Sequence, residues 1–481
     1  MISEKKKLKQ VYVGSFILIL SISFGFFITS PPGAAPDELT HSAASWYTFS
    51  NLKPPAYSTQ NSGEIPSSLI IDNECYKFKP QQDASCIAAK NSDVAAGYPM
   101  MTYSPVYYFV VGMGQHVASI FDYKYAALGG RISSLFLSLF FVFLIFRKLY
   151  TENYQQPYLI LLPLTPMAVF LSVTVNPSGT EVTSGLLLTT LLHFKIKAIQ
   201  SKVDSNILQP NLPIIFASLY FFLSRPSALI WFGVIFAALV LSVERNQRIS
   251  LLRHLNMIAP PMIVAIIYHF THPHKTGSPA GYVPVENDDF RFYFDGFITS
   301  LENLPTHLRQ SYGVLGWLDT PAPVFITLVF YFIYLIVISD LHKLSKISFS
   351  ATTLLLFGNT VLISLLELIA WHEWPNWWQG RYSLPLLAMT FWIFFLRANK
   401  GKNDLIRIST FLVIMMHLIL IIENLFRYSF GIIGFFPARL TNPAIGELRF
   451  NMAILSLVIS TILAVQLFLT TSNAKEKKIR L

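Results

Sequence analysis

Charge is what this sequence has least of: Asp, Glu, Lys and Arg make up 13% of its 481 residues, against 53% hydrophobic residues. A chain so poor in charge cannot surround its apolar surface with a polar shell, which excludes a soluble globular protein and calls for lipid as the solvent. Cysteine is reduced to one pair, Cys75 and Cys86. There is no Gly-rich phosphate loop and no His-Glu-x-x-His helix, so nucleotide-driven transport and zinc proteolysis inside the membrane have no support. Tandem repeats and soluble-domain stretches are missing as well, which leaves one polytopic membrane domain over residues 1–481.

What is present is a succession of apolar runs of about 17–23 residues, each of which matches a ~30 Å hydrocarbon core at the helical rise. They predict an all-α integral membrane protein with about twelve spans, at 11–29, 126–146, 158–176, 180–196, 211–224, 226–243, 255–270, 322–339, 349–371, 381–397, 406–423 and 447–470. Only Arg225 and Pro226 separate the fifth run from the sixth, which reads as two spans or as one broken element. The net charge of +10 would suggest nucleic acid in a soluble protein. Here its distribution points elsewhere. The two ends and every second loop carry 22 Lys or Arg against 7 Asp or Glu, and the remainder carries 14 against 19. Basic residues mark the cytoplasmic side, so the asymmetry predicts a protein of the cytoplasmic membrane with both termini inside and no nucleic-acid partner. The first run, preceded by lysines, reads as an uncleaved signal anchor.

Outer loops are then expected at 30–125, 271–321 and 424–446, with a short one at 372–380. Residues 104–121 are apolar but contain Gln115 and His116, and counting them as a span would invert every later loop. They read as an interfacial helix entered at Ser104-Pro105, with Tyr107, Tyr108 and Phe109 near the headgroups. Both cysteines fall in the first outer loop, where disulfides persist, and a metal pair lacks further His or Cys partners, which favours a bridge.

The residues able to carry chemistry collect on the outer side. Asp37 and Glu38 follow Pro36 directly, with His41 one helical turn on. Such acids either complement a helix N-terminus or supply a general base at the membrane surface. Arg131, Arg225 and Arg381 lie at outer span boundaries, and Arg439 lies in the last outer loop. Orientation does not need them, so they pair with carboxylates such as Glu367, Glu373 or Glu423, meet lipid headgroups, or bind a phosphate. The stretch Trp371 to Tyr382 holds four of the eight tryptophans. Its Trp378, Gln379 and Tyr382 suit either an interfacial aromatic belt or sugar stacking. Trp317 and Asp319 sit in a Gly- and Pro-rich turn, where Asp319 caps the turn or meets a ligand. The His272-Pro273-His274 pair lacks a nearby carboxylate, so a divalent metal is possible but not indicated.

Together Pro36-Asp37-Glu38 with His41, Tyr103-Ser104-Pro105-Val106-Tyr107-Tyr108, Arg131, Thr165-Pro166-Met167, Asn176-Pro177, Gly316-Trp317-Leu318-Asp319 and Gln379-Gly380-Arg381-Tyr382 resemble a family of uncharacterised bacterial multi-pass membrane proteins. That family is grouped with the GT-C glycosyltransferases, and the resemblance runs to about residue 397. It implies a GT-C-like helical core in which a sugar passes from a polyprenyl phosphate carrier to a cell-envelope glycan or glycolipid on the outer face. Asp37 would then be the base, with Glu38 and His41 beside it. Arg131, Arg225 and Arg381 would contact the donor phosphate, and Tyr103, Trp317, Asp319, Trp378, Gln379 and Tyr382 the sugar or acceptor. Members often carry Asp after the Asn-Pro pair, whereas this chain has Ser178, with Glu181 the nearest acid. Competing readings are a transporter or lipid flippase, which wants ionisable groups near the bilayer midplane, and a non-catalytic envelope assembly protein.

Overall fold

The computed structural model describes residues 2–54, 64–71, 74–87, 94–95, 103–200, 211–245, 248, 257–272, 289–345, 348–371, 378–397, 404–439 and 442–479, and most of them are helical. In chain order the helices are α1 Ile2–Thr29, α2 Glu38–Asn51, α3 Pro105–Ser119, α4 Ala126–Thr151, α5 Pro166–Ser172 and α6 Pro177–Gln200. They continue with α7 Leu212–Ser224, α8 Ser227–Leu241, α9 Ala259–Thr271, α10 Phe290–Glu302, α11 Leu304–Gly313 and α12 Val324–Ser345. The last are α13 Phe349–Gly358, α14 Val361–Glu367, α15 Gly380–Arg397, α16 Asp404–Phe430 and α17 Glu447–Ile479. Among these, six segments are long and apolar enough to cross a membrane, at Lys5–Thr29, Tyr123–Thr151, Pro177–Gln200, Phe349–Glu367, Ile406–Phe430 and Glu447–Leu469. Leu212–Ser224, Ser227–Leu241, Ala259–Thr271 and Val324–Leu335 are shorter apolar helices. Phe136, Phe140, Phe332, Leu455 and Ile462 lie open on the outside of the bundle, as suits a surface solvated by lipid.

Polar seams fix how the helices meet. α1 packs along α17, where Ser456 Oγ donates to the Ser21 carbonyl at 2.7 Å and Ser460 Oγ to Ser21 Oγ at 2.8 Å. Small hydroxyl-bearing residues allow such close approach and supply hydrogen bonds where lipid offers none. At one end of the bundle Tyr12 donates to the Tyr154 carbonyl, Tyr154 to that of Phe395, and Arg397 to that of Ser242. Ser30, Pro36, Arg131, Asn176 and Arg381 meet at the other end.

Two expected spans are interrupted. Residues 158–176 form a short 3-10 helix, Pro157–Leu161, and then the seven-residue α5. Pro157, Pro163 and Pro166 each remove an amide donor, and Thr165 Oγ1 caps α5 by accepting from Ala168. The Leu164 carbonyl at the break lies 2.9 Å from His417 Nε2, so the freed backbone group is satisfied by a neighbouring helix. Residues 349–371 break at Asn359 and Thr360, where Asn359 Nδ2 donates to Leu355 and Thr390. The 211–243 region is two helices, turned by an extended Arg225.

The 104–121 segment is helical as α3, but Tyr107 and Tyr108 do not face headgroups. Both are buried between α2 and α4, because their hydroxyls find Ser134 Oγ at 3.0 Å and His41 Nδ1 at 2.8 Å. The open apolar face belongs instead to Phe109, Met113, Val117 and Ile120. A Cβ at Gly112 would stand 2.1 Å from the Ser45 carbonyl oxygen, so glycine is what lets α3 lie this close to α2. In the first loop Cys75 and Cys86 are bonded to each other. Closing this short loop restricts the unfolded chain, so Cys75→Ser is expected to cost about 2–3 kcal/mol. Thermal unfolding with and without reductant checks this, and reductant should no longer change the midpoint in the variant.

Candidate functional site

The site starts from one backbone irregularity. Pro36 ends the turn after α1, and α2 begins at Glu38, so Asp37 occupies the N-cap position with φ +59°. A non-glycine residue there is uncommon and costs on the order of 1–3 kcal/mol unless its surroundings fix it. The cap geometry gives no compensation, since the Asp37 side chain accepts no hydrogen bond from α2. Its carboxylate turns instead to Arg381, whose Nη2 lies 2.5 Å from Oδ2, while Arg381 Nη1 donates to the Pro36 carbonyl at 3.2 Å. The Asn176 side chain also donates to Pro36, at 3.1 Å, and accepts from Ser178 N at the start of α6. The Arg381 side chain is 2% exposed and that of Asp37 28%, so the carboxylate is the member of the pair that solvent or a ligand can reach.

Aromatic and cationic groups close around this pair. The Arg225 guanidinium carbon lies 5.1 Å from the Tyr103 ring centre and 5.3 Å from that of Tyr382, sandwiched between two π faces. Its Nε is 3.8 Å from Glu181, too far for a hydrogen bond, and that nitrogen has no hydrogen-bond partner among the described residues. The His41 ring stacks on Tyr103 at 5.8 Å. His41 Nδ1 meets Tyr108, whereas Nε2 is buried without a partner among the described residues. Burial pushes the His41 pKa down to about 3, so the ring is neutral near pH 7. Burial alone would raise the Asp37 pKa, but the charge and hydrogen bond of Arg381, reinforced by Arg225, hold it below the usual carboxylate range. Trp378 packs edge-on against Tyr382 and Trp231, and the Gln379 side-chain carbonyl oxygen has no partner among the described residues. Gly380 is tightly enclosed: a Cβ would stand 2.0 Å from the His307 carbonyl oxygen of α11. The close approach lets Gln310 accept from Gly380 N at 2.8 Å and seats the helix end that bears Arg381.

Not every candidate joins the cluster. Arg131 forms a bidentate pair with Glu38 at 2.6 and 2.7 Å and also donates to the Ser30 and Pro31 carbonyls. Both side chains are 3% exposed, so this arginine clamps α1, α2 and α4 together and its fork is occupied. Asp319 neither only caps its turn nor meets the cluster. It accepts from Thr320 and pairs at 3.0 Å with Arg427, which also donates to the Tyr76 and Gln82 carbonyls of the disulfide loop. Trp317 donates to Gly33 at 2.9 Å and lies under Lys77. Arg427 is not singled out by the sequence, where it looks like one more residue of an apolar helix although an arginine near the end of a span is a signal, and Tyr108, expected at the headgroups, is instead the partner of His41. Residues 372–377 and His274 lie outside the described residues. Among the described residues no group of three or more His, Cys, Asp or Glu converges on a metal position.

Apolar helices open to lipid, joined to a polar cluster at one end of the bundle, define a polytopic membrane protein. More particularly, the chain belongs to the predicted membrane protein family DUF2142, whose profile matches residues 20–390. No curated protein matches the chain.

Proposed function

We propose that this protein is a glycosyltransferase of GT-C type, which moves a sugar from a polyprenyl phosphate carrier to a cell-envelope glycan or glycolipid on the outer face of the cytoplasmic membrane. The proposal includes twelve membrane crossings, two of them interrupted, with both termini cytoplasmic. The observation that carries the reading is Asp37: a reachable carboxylate in a strained backbone position, released from helix capping and flanked by two buried arginines.

In the resting protein Arg381 keeps Asp37 a weak base. A donor phosphate entering beside Arg225 and Arg381 competes for the guanidinium forks, which match phosphate oxygens. Loosening the ion pair raises the proton affinity of Asp37. The carboxylate then takes the proton of the acceptor hydroxyl while that oxygen forms the new bond to the anomeric carbon. The bond from that carbon to the carrier phosphate breaks, and the arginines hold the charge on the departing phosphate. In this reading Tyr103, Tyr382, Trp378 and Gln379 contact the sugar, whereas Arg131, Trp317 and Asp319 position the loops around them. A transporter reading finds less support, because the polar cluster gathers at one end of the bundle rather than at mid-depth.

The test is transfer of radiolabelled sugar from a polyprenyl phosphate donor by purified protein. Arg381→Lys replaces a planar fork by a point charge and is expected to raise the KM for donor about tenfold or more, with a smaller change in kcat. Loss of a transported solute with envelope glycan unchanged, in cells carrying the same variant, would overturn the reading.

A further inference from the structure

His41 lies one helical turn after Asp37, and its backbone amide donates to the Asp37 carbonyl at 3.0 Å, so the first turn of α2 sets the two residues side by side. The imidazole is fully buried and packs against the rings of Tyr103 and Tyr108, at 5.8 and 5.9 Å. Asp37 is the strongest charge acting on it, followed by Arg225 and Arg381.

The bond to Tyr108 decides which ring nitrogen carries the proton. The Tyr108 hydroxyl is fully buried and stays protonated, because burial raises its pKa well above the ordinary value. A buried hydroxyl proton needs an acceptor, and among the described residues it meets His41 Nδ1 at 2.8 Å. The Tyr103 backbone also bonds this hydroxyl, in the sense that favours the ionised form, as an N–H given to the oxygen does, so it takes no proton from Tyr108. Nδ1 therefore accepts, and the proton of the neutral ring sits on Nε2. That N–H is buried with no partner among the described residues, which is costly. Asp37 offers an acceptor within the same turn: Arg381 holds its Oδ2, the side chain is 28% exposed, and no cap hydrogen bond ties it to α2.

We infer that His41 is a positioning residue for the base: when a phosphate draws Arg381 off Asp37, the carboxylate turns to His41 and accepts from Nε2–H, completing a chain Tyr108–His41–Asp37. A freed carboxylate with no fixed donor would wander among its rotamers. Bonded to His41 through one oxygen, it keeps the other for the acceptor hydroxyl. A neutral N–H favours the ionised carboxylate less than a guanidinium does, so the move makes Asp37 a stronger base without losing its aim. The proton of the acceptor hydroxyl ends on Asp37, and the imidazole keeps its own throughout. The purpose of this movement rests on the proposed sugar transfer, whereas the movement itself needs only a bound phosphate.

The experiment uses the full-length protein in detergent, labelled with nitrogen-15 histidine and titrated with farnesyl phosphate, a short polyprenyl phosphate whose phosphorus resonance reports binding. The Nε2 proton of His41, assigned by its absence from His41→Gln, should move downfield at saturation, and Asp37→Ala should lose that shift. A shift that survives in Asp37→Ala means that His41 bonds the phosphate itself. That result, no shift at saturation, or no binding of farnesyl phosphate overturns the inference. In sugar transfer His41→Phe should lower kcat about 10–100-fold, as misplacement of a reacting group does, with little change in the KM for donor. Its kcat should also begin to fall at higher pH than in the wild type, because losing a hydrogen bond raises the pKa of the donor-bound carboxylate. His41→Gln, which keeps an amide N–H donor, should recover most of kcat. An unmoved pH profile in His41→Phe with no recovery in His41→Gln shows a packing role and overturns the inference. Farnesyl phosphate binding with the shift intact but no sugar transfer by the wild type would instead overturn the glycosyltransferase reading and leave the Asp37–His41 contact standing.

Discussion

Asp37→Asn is expected to lower sugar transfer by roughly 10²–10⁴-fold, the range for removing a general base, while the protein still inserts and binds donor. Asparagine keeps the size of the side chain and can still accept from Arg381, so the loss reports proton acceptance rather than folding. The pH profile gives an independent check. Arg381 holds the Asp37 pKa of the donor-free protein below the usual carboxylate range, so that carboxylate is ionised throughout the neutral range and kcat/KM falls only as pH drops through the lowered value. His41, with its pKa near 3, adds no titration between pH 5 and 8. Near-normal transfer by Asp37→Asn at matched expression would remove Asp37 from the chemistry.

The neighbouring acid is expected to behave in the opposite way. Glu38→Gln leaves Arg131 charged, buried and without its counter-ion, and breaking a buried pair from one side costs roughly 3–5 kcal/mol. The variant should unfold at a markedly lower temperature in detergent or fail to accumulate in the membrane. The fraction that remains folded should transfer sugar at close to the normal rate per molecule. A stable, inactive Glu38→Gln protein would mean that the carboxylate acts on substrate and that its pairing with Arg131 is secondary. Adjacent residues in one motif would thus divide the work, Asp37 serving reaction and Glu38 serving assembly.

Helix existence was legible in the sequence because apolar length is a strong signal, and each expected run contains helical structure. Continuity was less legible. The break at residues 162–165 has local signals in Pro163 and the Thr165-Pro166 cap, but what satisfies it is His417 reaching the Leu164 carbonyl from a helix 253 positions away, which no local pattern reveals. The same limit applies to the site. Asp37, Arg225 and Arg381 could be picked out as charges at outer span ends, but their roles follow from partners. Arg131 and Arg381 look alike in sequence, and only the fold gives one a buried glutamate and the other a reachable aspartate. Tyr107 and Tyr108 were assigned to headgroups by composition, and their hydroxyl partners draw them inward instead.

The seam between α1 and α17 joins residues 435 positions apart, Ser21 and Ser456. A ribosome-bound chain emerges in order, so α1 enters the bilayer when its eventual partner is not yet made. Its face bearing Ser21 and Gly25 must wait in lipid, or against an insertion partner, until α17 emerges. The site end depends on the same late arrival, since Arg427 of α16 ties down the disulfide loop and the family match ends at residue 390. A chain stopped there would carry the Asp37–Arg381 cluster and yet lack the helices that enclose α1. In biogenesis α1 is thus expected to find its place only after α17 has entered the bilayer.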